Sequence, residues 1–135
     1  MKKLILLFLL GTLLACDLDN GNEVNFSLEI MSIESVDIPT EFNFGQTHEI
    51  TLNYTRPNGC YQFNDFIFQP DGNTRTVAVV DAIFNDANCT QATVEASVSF
   101  NFSVISSDTY TFQFYQGTSD TGEDQYLIIE VPVVQ

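Results

Sequence analysis

Apolar and polar residues alternate with period two through most of the chain from Val24 onward, the pattern of strands that bury one face and wet the other. The clearest stretch runs from Val94 to Val104, where every even position is apolar and every odd position polar. A long antiparallel strand is expected there. Turn residues bound six more. The first covers residues 25–36 and sets Phe26, Leu28 and Ile30 on one face. The second, from Thr47 to Thr55, buries Ile50, Leu52 and Tyr54. Arg56-Pro57-Asn58-Gly59 then turns the chain into a strand from Cys60 to Gln69. Its apolar parity shifts between Phe63 and Phe66, which implies a bulge or burial on both faces. Pro70-Asp71-Gly72-Asn73 leads into a strand from Thr74 to Phe84, and an irregular loop through Cys89 precedes the 94–104 strand. After the turn at Ser106-Ser107-Asp108 come Thr109 to Gln116 and a final strand that buries Leu127, Ile129, Val131 and Val133, with Pro132 suited to an edge. Seven short strands without a helical period predict an all-β, antiparallel two-sheet sandwich over residues 25–135. A small lipocalin-like barrel is the alternative, and it lacks an eighth strand.

Residues 1–15 follow a different pattern. Lys2 and Lys3 precede a run from Leu4 to Ala15 that carries no charge, the layout of a secretory signal peptide. The run falls short of the roughly 20 residues that a membrane-spanning helix needs. Leu13-Leu14-Ala15-Cys16 resembles a lipobox, the motif of bacterial lipoprotein precursors. The resemblance implies cleavage before Cys16 and acylation of that cysteine, which would receive a diacylglycerol and usually a third fatty chain such as palmitate. Each buried methylene contributes about 0.8 kcal/mol, so two or more chains hold a protein firmly to a bilayer. The next residues, 16–24, are acidic and turn-rich and read as a flexible tether. Asp17 in that place resembles an inner-membrane retention signal of some Gram-negative groups; an acidic run there resembles a surface-export signal of others. The expectation is a lipid anchor in the cell envelope, with the outer membrane or cell surface favoured over the inner membrane. Asp17-Leu18-Asp19 does not open an EF-hand, because Asn22 and Leu28 stand where that loop needs Gly and Glu.

Asp108-Thr109-Tyr110-Thr111-Phe112 resembles the start of strand F in immunoglobulin-like and fibronectin-like sandwiches. The resemblance implies that Tyr110 forms a tyrosine corner. The family's second cysteine would fall at Phe112, and the chain has no Trp for the usual core position. The likeness is therefore to such sandwiches in general and not to antibody domains. The chain as a whole is also similar to small surface lipoproteins rich in Phe, Asn and Thr, a likeness that brings no activity with it.

Charge narrows the partners. The formal net charge is −14, and cleavage before Cys16 would remove Lys2 and Lys3, leaving Arg56 and Arg75 against eighteen acids. Such a surface repels nucleic acid and anionic headgroups. With Cys16 committed to lipid, Cys60 and Cys89 form an even pair in an oxidising compartment, which favours a disulfide. A metal site would want more His or Cys, and a redox site a C-x-x-C pair.

Catalytic chemistry is thinly supplied. His48 is the single imidazole and shares the inward parity of Ile50, as a boundary histidine with a half-covered ring would. No nucleophile elbow, zinc-protease motif or phosphate loop is present, so no catalysis and no cofactor are expected. Four N-x-[ST] tripeptides, at Asn25, Asn53, Asn88 and Asn101, reflect an Asn- and Thr-rich composition. Asp120, Glu123 and Asp124 form a candidate calcium loop, although a hard cation needs six or more converging oxygens. Twelve Phe and five Tyr are many for a chain of this size, and most fall on inward positions that fill the core, while a few do not. Tyr61, Tyr115 and Tyr126 are candidates for a binding face on the sheet formed by the third, sixth and seventh strands. The expected function is a lipid-anchored binding or structural module that contacts a protein or glycan ligand. A small envelope hydrolase or protease inhibitor is the alternative.

Overall fold

The computed structural model describes Gly21 and residues 23–85 and 88–135. The leader, Cys16 and most of the tether lie outside the described residues. The predicted strands are present, and the first of them divides. β1 (Phe26–Met31) belongs to one sheet and β2 (Ser35–Asp37) to the other. Between them Ile33 N–H donates to the Tyr115 carbonyl and Glu34 N–H to the Asn53 carbonyl, so adjacent residues bond opposite sheets. Ile33, 1% exposed, fills the space between. A short β3 (Phe42–Asn43) pairs in parallel with β10 (Val133–Val134) beyond Pro132.

The smaller sheet has the order β2, β4 (Thr47–Arg56), β7 (Val94–Ser103). In the larger sheet β5 (Tyr61–Asp71) pairs along one side of β6 (Thr74–Phe84). The other side of β6 is shared: β1 pairs antiparallel with Val79–Phe84, and β8 (Tyr110–Thr118) pairs parallel with Thr74–Val77. β9 (Asp124–Val131) completes this sheet next to β8. The fold is a two-sheet sandwich that does not close into a barrel, because β5 and β7 each have a single neighbour. The ladder of β5 shifts between Phe63 and Asp65, where the change of apolar parity predicts it.

Strand order departs from the immunoglobulin arrangement, most plainly at the fourth long strand. There the fourth strand joins the opposite sheet; here β6 lies between β5 and β8 and runs parallel to β8. In β6, Val77-Ala78-Val79-Val80 is apolar on both parities, with Val77 and Val79 facing the core. Gly72, at φ 58°, supplies the left-handed residue that the β5–β6 turn requires.

Between the sheets Phe42, Tyr54, Phe102, Tyr110, Phe112 and Phe114 pack with Ile50, Leu52, Val77, Val79 and Val131. Phe102 meets Tyr110 edge-on at 4.9 Å and Phe112 at 5.2 Å between ring centroids, the geometry that aromatic quadrupoles favour. The Tyr110 hydroxyl accepts from the backbone N–H groups of Ile105 (3.2 Å) and Ser106 (2.9 Å). That bond back to the preceding turn is the tyrosine-corner contact. Cys60 and Cys89 are joined by a disulfide.

Candidate functional site

Ladder partners project to the same side of a sheet, so the register of the larger sheet defines its outer face. Phe26, Leu28 and Ile30 of β1 share one face, and it is the outer one: they are 51%, 57% and 48% exposed. Beside them the outer face carries Val80 of β6 and Ile67 of β5, then Tyr115 of β8 with Tyr126 and Ile128 of β9. Tyr115 and Tyr126 are ladder partners whose rings meet edge-on at 6.0 Å. Ile30, Ile67, Ala78 and the two tyrosines line a shallow depression of about 200 Å³. Phe26, Leu28, Ile30, Tyr126 and Ile128 together expose on the order of 500 Å² of mostly apolar surface. This matches the apolar centre of a protein interface in size, and a polar rim is needed to complete one. Asp65, Asp71, Asp124 and Glu130 sit at outer-face positions around it, all exposed.

Tyr61 does not join this group. Its ladder partner is Ile83, on the inner parity of β6, and its hydroxyl donates to Glu29 at 2.7 Å. The sequence reading placed it with Tyr115 and Tyr126 because the bulge after Phe63 reverses parity along β5. Near Tyr61 lies a buried polar cluster. Asp81 is fully buried; it accepts from the Tyr54 hydroxyl at 2.7 Å and from Arg56 Nε at 2.9 Å. Arg56 Nη2 also donates to the Tyr54 oxygen at 2.9 Å.

These bonds hold two phenols in the neutral form. Burial, helped by the Asp81 carboxylate, raises Tyr54 to about 12, and the hydrogen bond to Glu29 raises Tyr61 to about 12. A phenol held neutral in the folded chain but ordinary in the unfolded one stabilises the fold below pH ~10. That contribution disappears as pH rises through about 12. A phenolate absorbance titration should therefore leave Tyr54 and Tyr61 un-ionised until well above pH ~10. Ionisation of all five in one step near pH ~10 would contradict the assignment.

The remaining candidates have structural roles or no convergence. The Nε2 atom of His48 accepts the Asn43 backbone N–H at 3.0 Å, and its ring packs 5.1 Å from Phe42. It is engaged at the β3 corner with no nucleophile beside it among its hydrogen bonds. Around Asp120, Glu123 and Asp124 the loop closes on Ser119, whose N–H donates to the Glu123 carbonyl and whose carbonyl accepts from Gly122. Among the described residues no three His, Cys, Asp or Glu side chains are grouped to hold a metal. The two Arg side chains of the described residues differ in their partners. Arg56 is paired with Asp81, and Arg75 donates to the carbonyls of Gly72 and Thr74.

Phe26, Leu28 and Ile30 share a face as the sequence implies, but its outward direction and the cleft between β5 and β7 were not legible there. The buried Met31 and Ile33, on the parity opposite to Phe26, Leu28 and Ile30, were the available signal for the former. The cleft depends on which strands end at an edge, and alternation is silent on that.

No curated protein and no solved structure matches the chain. A family model for the ORF11 beta-sandwich domain matches residues 50–124, from within β4 to the first residue of β9. This span holds most of both sheets, and the chain belongs to the ORF11 beta-sandwich domain family.

Proposed function

We propose that the chain is a lipid-anchored binding module of the bacterial cell envelope, without catalytic activity, that contacts a protein partner through the outer face of its larger sheet. The anchor is the lipid expected on Cys16, and residues 17–24 give the sandwich its reach from the membrane. One observation carries the binding role: an apolar centre on paired strands, ringed by exposed acids, on a sheet face that carries no Arg or Lys among the described residues. The largest apolar patch on a monomeric protein is often a functional one. Its flat aliphatic and aromatic character suits a protein more than a glycan, and the acidic rim favours a partner whose own rim is basic.

A single experiment on cells making the full chain tests both parts. A photoreactive residue is placed at position 128 on the outer face, or at position 51 on the polar face of the smaller sheet. The expected result is a discrete protein adduct from position 128 only, lost when Tyr115→Ser and Tyr126→Ser are combined. In the same cells Cys16→Ser should move the protein out of the membrane fraction and abolish incorporation of a fatty-acid analogue. Equal adducts from both positions would remove the binding face, and unchanged membrane association of Cys16→Ser would remove the anchor.

A further inference from the structure

We propose that the cleft between the free edges of the two sheets is a binding site for a small amphipathic carboxylate, an apolar ring or chain ending in one acid group. This site is separate from the outer face. The sandwich is open where β5 and β7 run as edge strands, and a cleft of about 400 Å³ lies between them. Phe66, Phe68 and Pro70 form one wall, Phe100 and Phe102 the other, and Arg75 lines it with them. The volume is within the range of small-molecule sites.

The walls are core-type residues without a cover. Phe68 faces inward, opposite the fully buried Val77, yet it is 41% exposed. Across the gap its ring stands 5.8 Å from Phe100 and 6.5 Å from Phe102. A flat or slender apolar body inserted here would complete packing that the two sheets leave open.

Arg75 specifies the acid. It is 9% exposed, and its guanidinium carbon lies 5.8 Å and 5.3 Å from the ring centroids of Phe102 and Tyr110. Nη1 donates to the carbonyls of Gly72 (2.6 Å) and Thr74 (3.0 Å). Nε and Nη2 make no hydrogen bond among the described residues, and no carboxylate there pairs with Arg75. The contrast with Arg56, which has Asp81, is direct. A covered arginine ordinarily has a partner. The rings attract the cation but leave its in-plane donors open, and one carboxylate can take two of them. No acid lines the cleft, so an anion meets repulsion only from charges farther away, which physiological salt screens.

The test uses the full chain reconstituted in phospholipid nanodiscs, with labelled Phe and Arg side chains followed by NMR in physiological salt. The probes are phenylbutyrate and its uncharged amide. The expected result is saturable perturbation of Phe68, Phe100 and Arg75 by the acid, with the amide at least about tenfold weaker, the worth of a charge-assisted hydrogen bond. Arg75→Gln should erase the difference between acid and amide. Because that change also touches the β5–β6 turn, the exposed Phe68→Ser serves as a second variant and should weaken both probes alike. Tyr126→Ser should alter neither. Equal affinity for acid and amide in the unsubstituted chain overturns the proposal. So does an absence of perturbation in the cleft, or perturbation confined to Tyr126 and Ile128.

Discussion

Asp81→Ala is expected to lower the stability of the fold by about 3–5 kcal/mol, the usual cost of leaving one member of a buried ion pair without its partner. Asp81 projects from β6 and is fully buried, while Tyr54 and Arg56 project from β4 in the opposite sheet. The three bonds among them, at 2.7, 2.9 and 2.9 Å, are the polar link across the sandwich. Removing the carboxylate leaves the Arg56 guanidinium, whose side chain is 18% exposed, without its counter-charge. It also strips the Tyr54 hydroxyl of its acceptor, and each uncompensated group bears a desolvation cost. Asp81→Asn keeps the shape and one acceptor and should cost less. Tyr54→Phe, which removes a single hydroxyl, should cost least, about 1–2 kcal/mol. Urea denaturation would show the order directly as falling midpoints at constant slope. An Asp81→Ala variant within about 1 kcal/mol of the parent would mean that Arg56, with its side chain 18% exposed, regains its hydration when the carboxylate is removed.

The same pair shows what the sequence makes legible. Alternation locates strands because each ladder must bury one parity, and Thr74–Phe84 appears with the predicted limits. Tyr110 was readable through the resemblance of Asp108-Thr109-Tyr110-Thr111-Phe112 to the start of an immunoglobulin-like strand F, and its hydroxyl accepts from the amides of Ile105 and Ser106 as that resemblance implies. Two carboxylates on strand parity look alike in sequence, however. Asp81 on β6 is buried because Tyr54 and Arg56 come to it from the other sheet, twenty-seven and twenty-five residues away. Glu29, opposite it in register, is exposed and takes the Tyr61 hydroxyl instead. The candidate face was half legible for a related reason. Tyr115 and Tyr126 share a face because their parities agree with their pairing, but Tyr61 depends on a bulge that reverses the parity upstream of it. The division of residues 25–36 between two sheets was hidden, since Ser32, Ile33 and Glu34 carry no turn signal. Their position follows from bonds to Tyr115 and Asn53, far along the chain.

Loss of the disulfide, as the double variant Cys60→Ser and Cys89→Ser, is expected to cost about 3–4 kcal/mol, and the cost should come from the unfolded chain. The bond closes a loop of sequence separation 29, for which the chain-entropy relation gives that magnitude. In the folded state other contacts already hold the same place. Gly59 N–H donates to the Thr90 carbonyl at 2.9 Å, and Phe84 N–H to the Cys60 carbonyl at 3.1 Å. The native register of β5 and β6 should therefore survive the substitutions, with the amide signals of Phe66, Phe68 and Val79 little changed. The released unfolded chain expands and exposes more surface, so the denaturation slope should rise while the midpoint falls. A lower midpoint with a slope at or below that of the parent would point to damage in the folded state instead. The distinction matters for the binding surfaces, because the loop from Cys60 to Cys89 encloses the whole β5–β6 hairpin. That hairpin supplies Phe66, Phe68 and Arg75 to the cleft and Ile67 and Val80 to the outer face. If the disulfide acts on the unfolded chain, its removal in a reducing compartment lowers the population of folded protein without changing either surface of the molecules that remain folded.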